Sequence, residues 1–157
     1  MSETQGWPVA ELDSVRRLRV LASAQGGLYA EGVIAAPFEQ VWAVAGDLEG
    51  ELPNYLPDVR WLRVTATTGE RLEAYARGRL GLRARFDGVL RPGWCVLQSR
   101  FLIGGIAAVP DGQASRVAFL GSFRAPGLRL LRPLLAPLER RVGRIVLRRL
   151  EARIHAR

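Results

Sequence analysis

Lysine is missing altogether, so all 23 basic residues of this 157-residue chain are arginine. Such uniformity reads as a compositional habit of the genome rather than selection for phosphate forks, and it weakens a nucleic-acid reading of the charge. Cysteine occurs once, as Cys95, so no disulfide closes within the chain, stability must come from packing, and a cytoplasmic setting is expected. Histidine also occurs once, as His155, which reads as an exposed tail group, leaving Cys95 without a base to activate it. There is no C-x-x-C, no histidine and carboxylate cluster and no glycine-rich phosphate loop, so nothing points to a metal or a cofactor, and no catalytic residue can be named. No apolar run approaches the roughly 18 residues of a membrane-spanning helix. The opening MSETQGWPVAELDSVRRLRVL puts acids ahead of bases and lacks the apolar stretch of a signal peptide.

What the chain does contain is an ordinary globular balance, 48% apolar and 24% charged, at the length of one domain. Its positive charge is uneven. Residues 124–157 carry ten arginines against Glu139 and Glu151, a net of +8, whereas residues 1–123 balance thirteen arginines against thirteen acids. Such a block suits binding of an anionic surface or a nucleic acid through Arg140, Arg141, Arg144 and Arg148, or is the solvated back of an amphipathic helix.

Residues 1–27 form an N-terminal extension in which Ser14 to Leu21 reads as a short helix or an early strand, ended at Gly26-Gly27. Leu28 to Ala35 is the first secure strand, closed by Pro37, because the residue before proline is held out of the helical region. Phe38, Val41, Trp42 and Ala45 then repeat at helical spacing, and Leu48 to Tyr55 is a second short helical piece. From Val59 the period becomes two. Strands are expected at Val59 to Thr67, Arg71 to Arg79, Gly81 to Leu90, Trp94 to Phe101, Leu102 to Val109 and Ser115 to Phe123, an antiparallel meander with turn signals between them. After Ala125-Pro126-Gly127 the helical period returns, Leu128 to Leu138 is very apolar around Pro133 and Pro137, which suits the lining of an entrance or contact with a partner or membrane, and one uninterrupted helix is expected from near Pro137 to Ile154.

One long amphipathic helix must cover the apolar face of a whole sheet. The expected fold is therefore α+β, a curved antiparallel sheet of about six or seven strands wrapped around the C-terminal helix. Its strands carry many small residues, Ala74, Ala76, Gly78, Ala84 and Gly88. Facing a helix, these either let it come close or leave a hole.

The stretch Val33-Ile34-Ala35-Ala36-Pro37-Phe38-Glu39-Gln40-Val41-Trp42, with Asp47 and Leu52-Pro53-Asn54-Tyr55-Leu56-Pro57-Asp58-Val59 after it, resembles the START-like (SRPBCC) superfamily of polyketide cyclase/dehydrase-like and lipid-transfer proteins. The resemblance covers residues 28–155 and implies a helix-grip domain. In it, two short helices separate the first and second strands, and the last helix closes over a hydrophobic cavity. It implies a hydrophobic small-molecule ligand, such as a lipid, isoprenoid or polyketide, with a polyketide cyclase/aromatase as the alternative.

Five residues are the candidate ligand contacts. Alternation places Leu82 and Phe86 on the concave wall with Ala84, Trp61 is a large ring near the second strand, and Tyr55 stands beside the opening expected at the two short helices. Arg149 falls in the sector of Val142, Val146, Leu150 and Ile154, where it either orients an anionic or carbonyl-bearing guest or pairs with Glu31 or Asp87. Arg153 is expected to reach water. Tyr75 and Arg77, opposite in parity to Ala74 and Ala76, are expected on the convex face. The partners expected are the hydrophobic ligand and an anionic membrane surface, with no specific nucleic acid.

Overall fold

The computed structural model describes residues 12–123 and 127–157, apart from the side chains of Leu128, Arg129 and Arg132. The Ala125-Pro126 break and residues 1–11 of the extension lie outside the described residues. Seven strands, β1 (Leu28–Ile34), β2 (Val59–Thr68), β3 (Arg71–Gly78), β4 (Arg83–Arg91), β5 (Trp94–Gln98), β6 (Leu102–Asp111) and β7 (Ala114–Phe123), form one antiparallel sheet. Their order is β1-β7-β6-β5-β4-β3-β2, a meander whose last strand pairs with the first. The expected helix-grip architecture and its strands are borne out, most ends falling within about two residues of the sequence reading.

Two short helices, α2 (Phe38–Ala45) and α3 (Leu52–Tyr55), carry the chain from β1 to β2 at the opposite edge. Pro37 stands at the N-cap of α2 with φ −61°, so the chain leaves β1 in a shape that already suits a helix start. Phe38 and Trp42, one turn apart, stack with ring centroids 6.3 Å apart. Val41, Val44 and Ala45 are buried, which seats α2 on the core.

The extension resolves as a helix, α1 (Ser14–Gln25), begun by Asp13, whose carboxylate accepts from the Arg16 N–H at 2.9 Å. It packs on the convex side of the sheet, Val15, Leu18 and Ala22 against Ala107, Ala118 and Leu120. Gly105 makes this seat possible, because a Cβ there would lie 2.9 Å from Leu18 Cδ1. A polar network ties the same region together. Arg116 donates to Asp13 at 2.7 Å, Tyr29 donates to Glu31 at 2.8 Å, and Arg19 pairs with Glu31.

The last helix, α4, runs Leu128–His155 and includes both Pro133 and Pro137, so it begins well before the start expected at Pro137. Each proline removes one backbone hydrogen bond. The apolar face nevertheless continues across Pro137, from Leu135 to Val142, Val146, Leu150 and Ile154. The C-terminal half is held against β1 at very short range. A Cβ on Gly143 would lie 2.6 Å from Ala30 Cβ and 3.3 Å from Leu28 Cδ1, and Gly32 faces Leu147 in the next turn.

Candidate functional site

Because α4 is drawn against β1, the far side of the bowl is left unfilled. A cavity of about 700 Å³ lies between α3, the Leu135–Val146 stretch of α4, the junction of α1 with β1 and the strands β2 to β7. Of the small residues expected either to admit the helix or to leave a hole, Ala76 lines the hole, whereas the helix comes close on β1, at Ala30 and Gly32. The wall is apolar, with Leu62, Ala76, Phe86, Leu97, Ile106 and Phe119 among its residues.

Six polar or sulfur-bearing side chains line it, Gln25, Tyr55, Asp58, Cys95, Ser122 and Glu139. Tyr55 is buried and donates its hydroxyl to the Ala45 carbonyl at 2.8 Å, which ties α3 to the end of α2. Burial also pushes its phenol well above the usual range, so it stays neutral. Burial pushes the Cys95 thiol up to about 12, which keeps it a small hydrophobic wall group rather than a thiolate. The two charged groups, Asp58 and Glu139, are both acidic, and Asp58 stands at the rim. Among the described residues no arginine lines the cavity, and no group of histidine, cysteine and carboxylate side chains could hold a metal.

Of the five candidate contacts, Tyr55 and Phe86 line the cavity and Trp61, Leu82 and Arg149 do not. Trp61 lies on the convex face beside Tyr75, ring centroids 6.0 Å apart. A register irregularity between Val59 and Trp61 shifts the phase of β2, so Val59 and Leu62 point inward and Trp61 outward. Leu82 precedes β4 in the turn and is 74% exposed, because pairing of β3 with β4 stops at Arg77 and Arg83. Arg149 is exposed. Burial of Gly143, Val146, Leu150 and Ile154 rotates the inner sector toward β1, which leaves Arg149 about 100° from its centre at 100° per residue. Glu31, once a possible partner for it, is taken by Arg19 and Arg116. Tyr75 and Arg77 lie opposite Ala74 and Ala76, as their parity requires.

The sequence reading missed the wall supplied by β5, Cys95 and Leu97, whereas Leu135 and Leu138, in the stretch expected to line an entrance or touch a partner or membrane, do line the cavity. The alternation of β5 carried that signal for Cys95 and Leu97. It also missed the clamp that fixes α3 on α4. Arg153, expected in water, donates to both carboxylate oxygens of Glu51, at 2.8 and 3.0 Å, and Arg157 approaches the same group at 3.3 Å. Glu51 is 5% exposed, and Arg153, with Asn54 helping, holds its carboxyl down at about 2. A depressed carboxyl stabilises the fold fully above its unfolded value, near 4.5, and loses that contribution as pH falls toward 2. Glu51→Gln should therefore destabilise at neutral pH by about 1–2 kcal/mol, the exposed side of Arg153 keeping the figure modest. The difference in melting temperature from wild type should shrink between pH 4.5 and 2. A difference that stays constant across this range would show that the pair carries none of it.

The same architecture recurs among solved structures. The protein TTHA0849 from Thermus thermophilus superposes with a TM-score of 0.62 at 28% identity, over 82% of this chain and 97% of that one. The Zhui aromatase/cyclase from Streptomyces sp. R1128 gives 0.60 at 14% identity, over 82% and 92%. A START superfamily protein from Mycobacterium smegmatis gives 0.53 at 17%, over 82% and 97%. The fold is START-like. No protein-family model matches the START-like chain, and no curated protein sequence matches it. Among its described residues, no helix is long and apolar enough to cross a membrane.

Proposed function

We propose that this START-like domain binds a neutral hydrophobic small molecule, of the lipid, isoprenoid or polyketide kind, inside its cavity. The observation that carries the reading is an apolar space of about 700 Å³ bounded by the sheet and α4, within the range of small-molecule sites. Tyr55 and Phe86 would contact the guest as apolar surfaces, since the Tyr55 hydroxyl is already engaged. The guest is neutral on this reading, because a buried carboxylate needs a cation, and the lining charges are Asp58 and Glu139. Transport or sequestration, rather than chemistry, suits a wall whose thiol and phenol both stay protonated.

The polyketide cyclase/aromatase alternative draws on the solved neighbours, since the Zhui protein bears that name. Such an enzyme would act by the shape of its cavity and by polarising a carbonyl. Here that task would fall to the Ser122 hydroxyl, which β7 brings to the wall.

Native mass spectrometry of freshly purified protein, set beside a denatured sample, should reveal a co-purifying hydrophobic compound. In titrations, neutral N-phenyl-1-naphthylamine should bind at least about tenfold more tightly than anionic 1-anilinonaphthalene-8-sulfonate. Absence of both a released compound and saturable binding of the neutral probe would remove the reading.

A further inference from the structure

The first half of α4 presents leucines to solvent where a globular helix should present polar residues. Leu130 is 84% exposed, Leu134 77% and Leu138 58%, with Leu131 half exposed beside them. At 100° per residue these four share a sector about 100° wide, and from Leu130 to Leu138 they span about 12 Å. The stripe is continuous with the cavity mouth. Leu138 lines the cavity while remaining exposed, and so does Phe123 at the end of β7, whose partner in β6 is Leu102. An apolar patch of this kind needs a cover.

The charge beyond it says what kind. Arg140, Arg141, Arg144, Arg148 and Arg149 are all exposed, and none has a carboxylate within ion-pair distance among the described residues. Arg141, Arg148 and Arg149 continue the leucine sector toward the C-terminus. A second copy docked on this stripe would bring two unpaired arginine clusters together, which like-charge repulsion opposes. An anionic lipid surface accepts both parts of the helix, leucines among the acyl chains and guanidinium groups at the phosphates.

We propose that the START-like domain docks on anionic bilayers through the Leu130–Leu138 face of α4, with its cavity mouth against the lipid. The docking deepens the carrier reading, on which its purpose rests: a guest that avoids water would then pass between bilayer and cavity beside Leu138 and Phe123.

Co-sedimentation of the full chain with vesicles tests it. The vesicles are phosphatidylcholine alone, or phosphatidylcholine with about a third phosphatidylserine, at near-physiological salt. Wild type should partition at least about tenfold more strongly onto the anionic vesicles. Leu130→Ser/Leu134→Ser, at positions outside the cavity lining, should reduce that partitioning by about tenfold or more. Arg141→Gln/Arg148→Gln/Arg149→Gln, all within the leucine sector, should reduce it on the order of a hundredfold, at about fivefold per basic residue near an anionic surface. Both variants should keep the wild-type melting temperature and the affinity for N-phenyl-1-naphthylamine in solution. That vesicle-free measurement separates failure of docking from failure of the cavity. Wild type left in the supernatant with anionic vesicles would overturn the proposal. So would leucine variants that sediment like wild type, or a wild-type dimer in light scattering that Leu130→Ser/Leu134→Ser turns to monomer without any vesicle binding.

Discussion

Gly143→Leu should lower stability by about 3 kcal/mol or more, a drop in melting temperature of about 6–12 °C for a domain of this size. The reason is the 2.6 Å separation between a Cβ at Gly143 and Ala30 Cβ, which no side chain can occupy unless α4 moves off β1. Gly143→Ala sharpens the test through its sign. In a free helix this change stabilises by about 1 kcal/mol, whereas here it should destabilise by a similar amount. Adding Ala30→Gly should return most of the loss, because it removes the atom in contact. Differential scanning of the single and double variants decides the point. A stabilising Gly143→Ala would mean that α4 does not lie this close to the sheet.

Filling the cavity should have the larger effect on function. Ala76→Trp/Cys95→Phe places two rings into the space from separate parts of the concave wall, both positions lining it. Affinity for N-phenyl-1-naphthylamine should fall by well over about tenfold, because the rings take the volume a guest would use. The melting temperature should hold or rise, since the new rings are buried in space already present rather than forced into packed atoms. An interior filled with protein atoms would instead be overpacked, at about 1–3 kcal/mol for each substitution. Collapse of the melting temperature would show that the interior is already filled, and undiminished probe binding would show that the probe does not sit beside Ala76.

The sheet was legible because one face of each strand is buried, and period-two alternation records that directly. Ala74, Ala76 and Phe86 fall on the concave side, as their spacing indicates. Alternation fails where the backbone breaks phase. Nothing in the residues Val59-Arg60-Trp61-Leu62 announces the irregularity that turns Trp61 outward. Nor does alternation say where a strand stops, so Leu82 was drawn into β4 although it belongs to the turn. On α4 the periodicity located an inner face. The rotation of that face is a tertiary matter, set by how closely Gly143 lets the helix approach Ala30, and a rotation of this size moves Arg149 to solvent. Glu51 and Arg153 are 102 residues apart, and no local pattern links a carboxylate before a four-residue helix to an arginine near the chain end.

The N-terminal helix gives the sheet unequal backing. Along β1, β7 and β6 one layer of packed side chains lies inside and another, that of Val15, Leu18 and Ala22, lies outside, so these strands are sandwiched. Along β2, β3 and β4 the outer side carries Trp61, Arg63, Tyr75 and Arg85, with no helix over it among the described residues. On the binding reading proposed above, a longer or bulkier guest would displace the singly supported strands, where only water has to give way, while the strands beneath α1 would act as the fixed jaw.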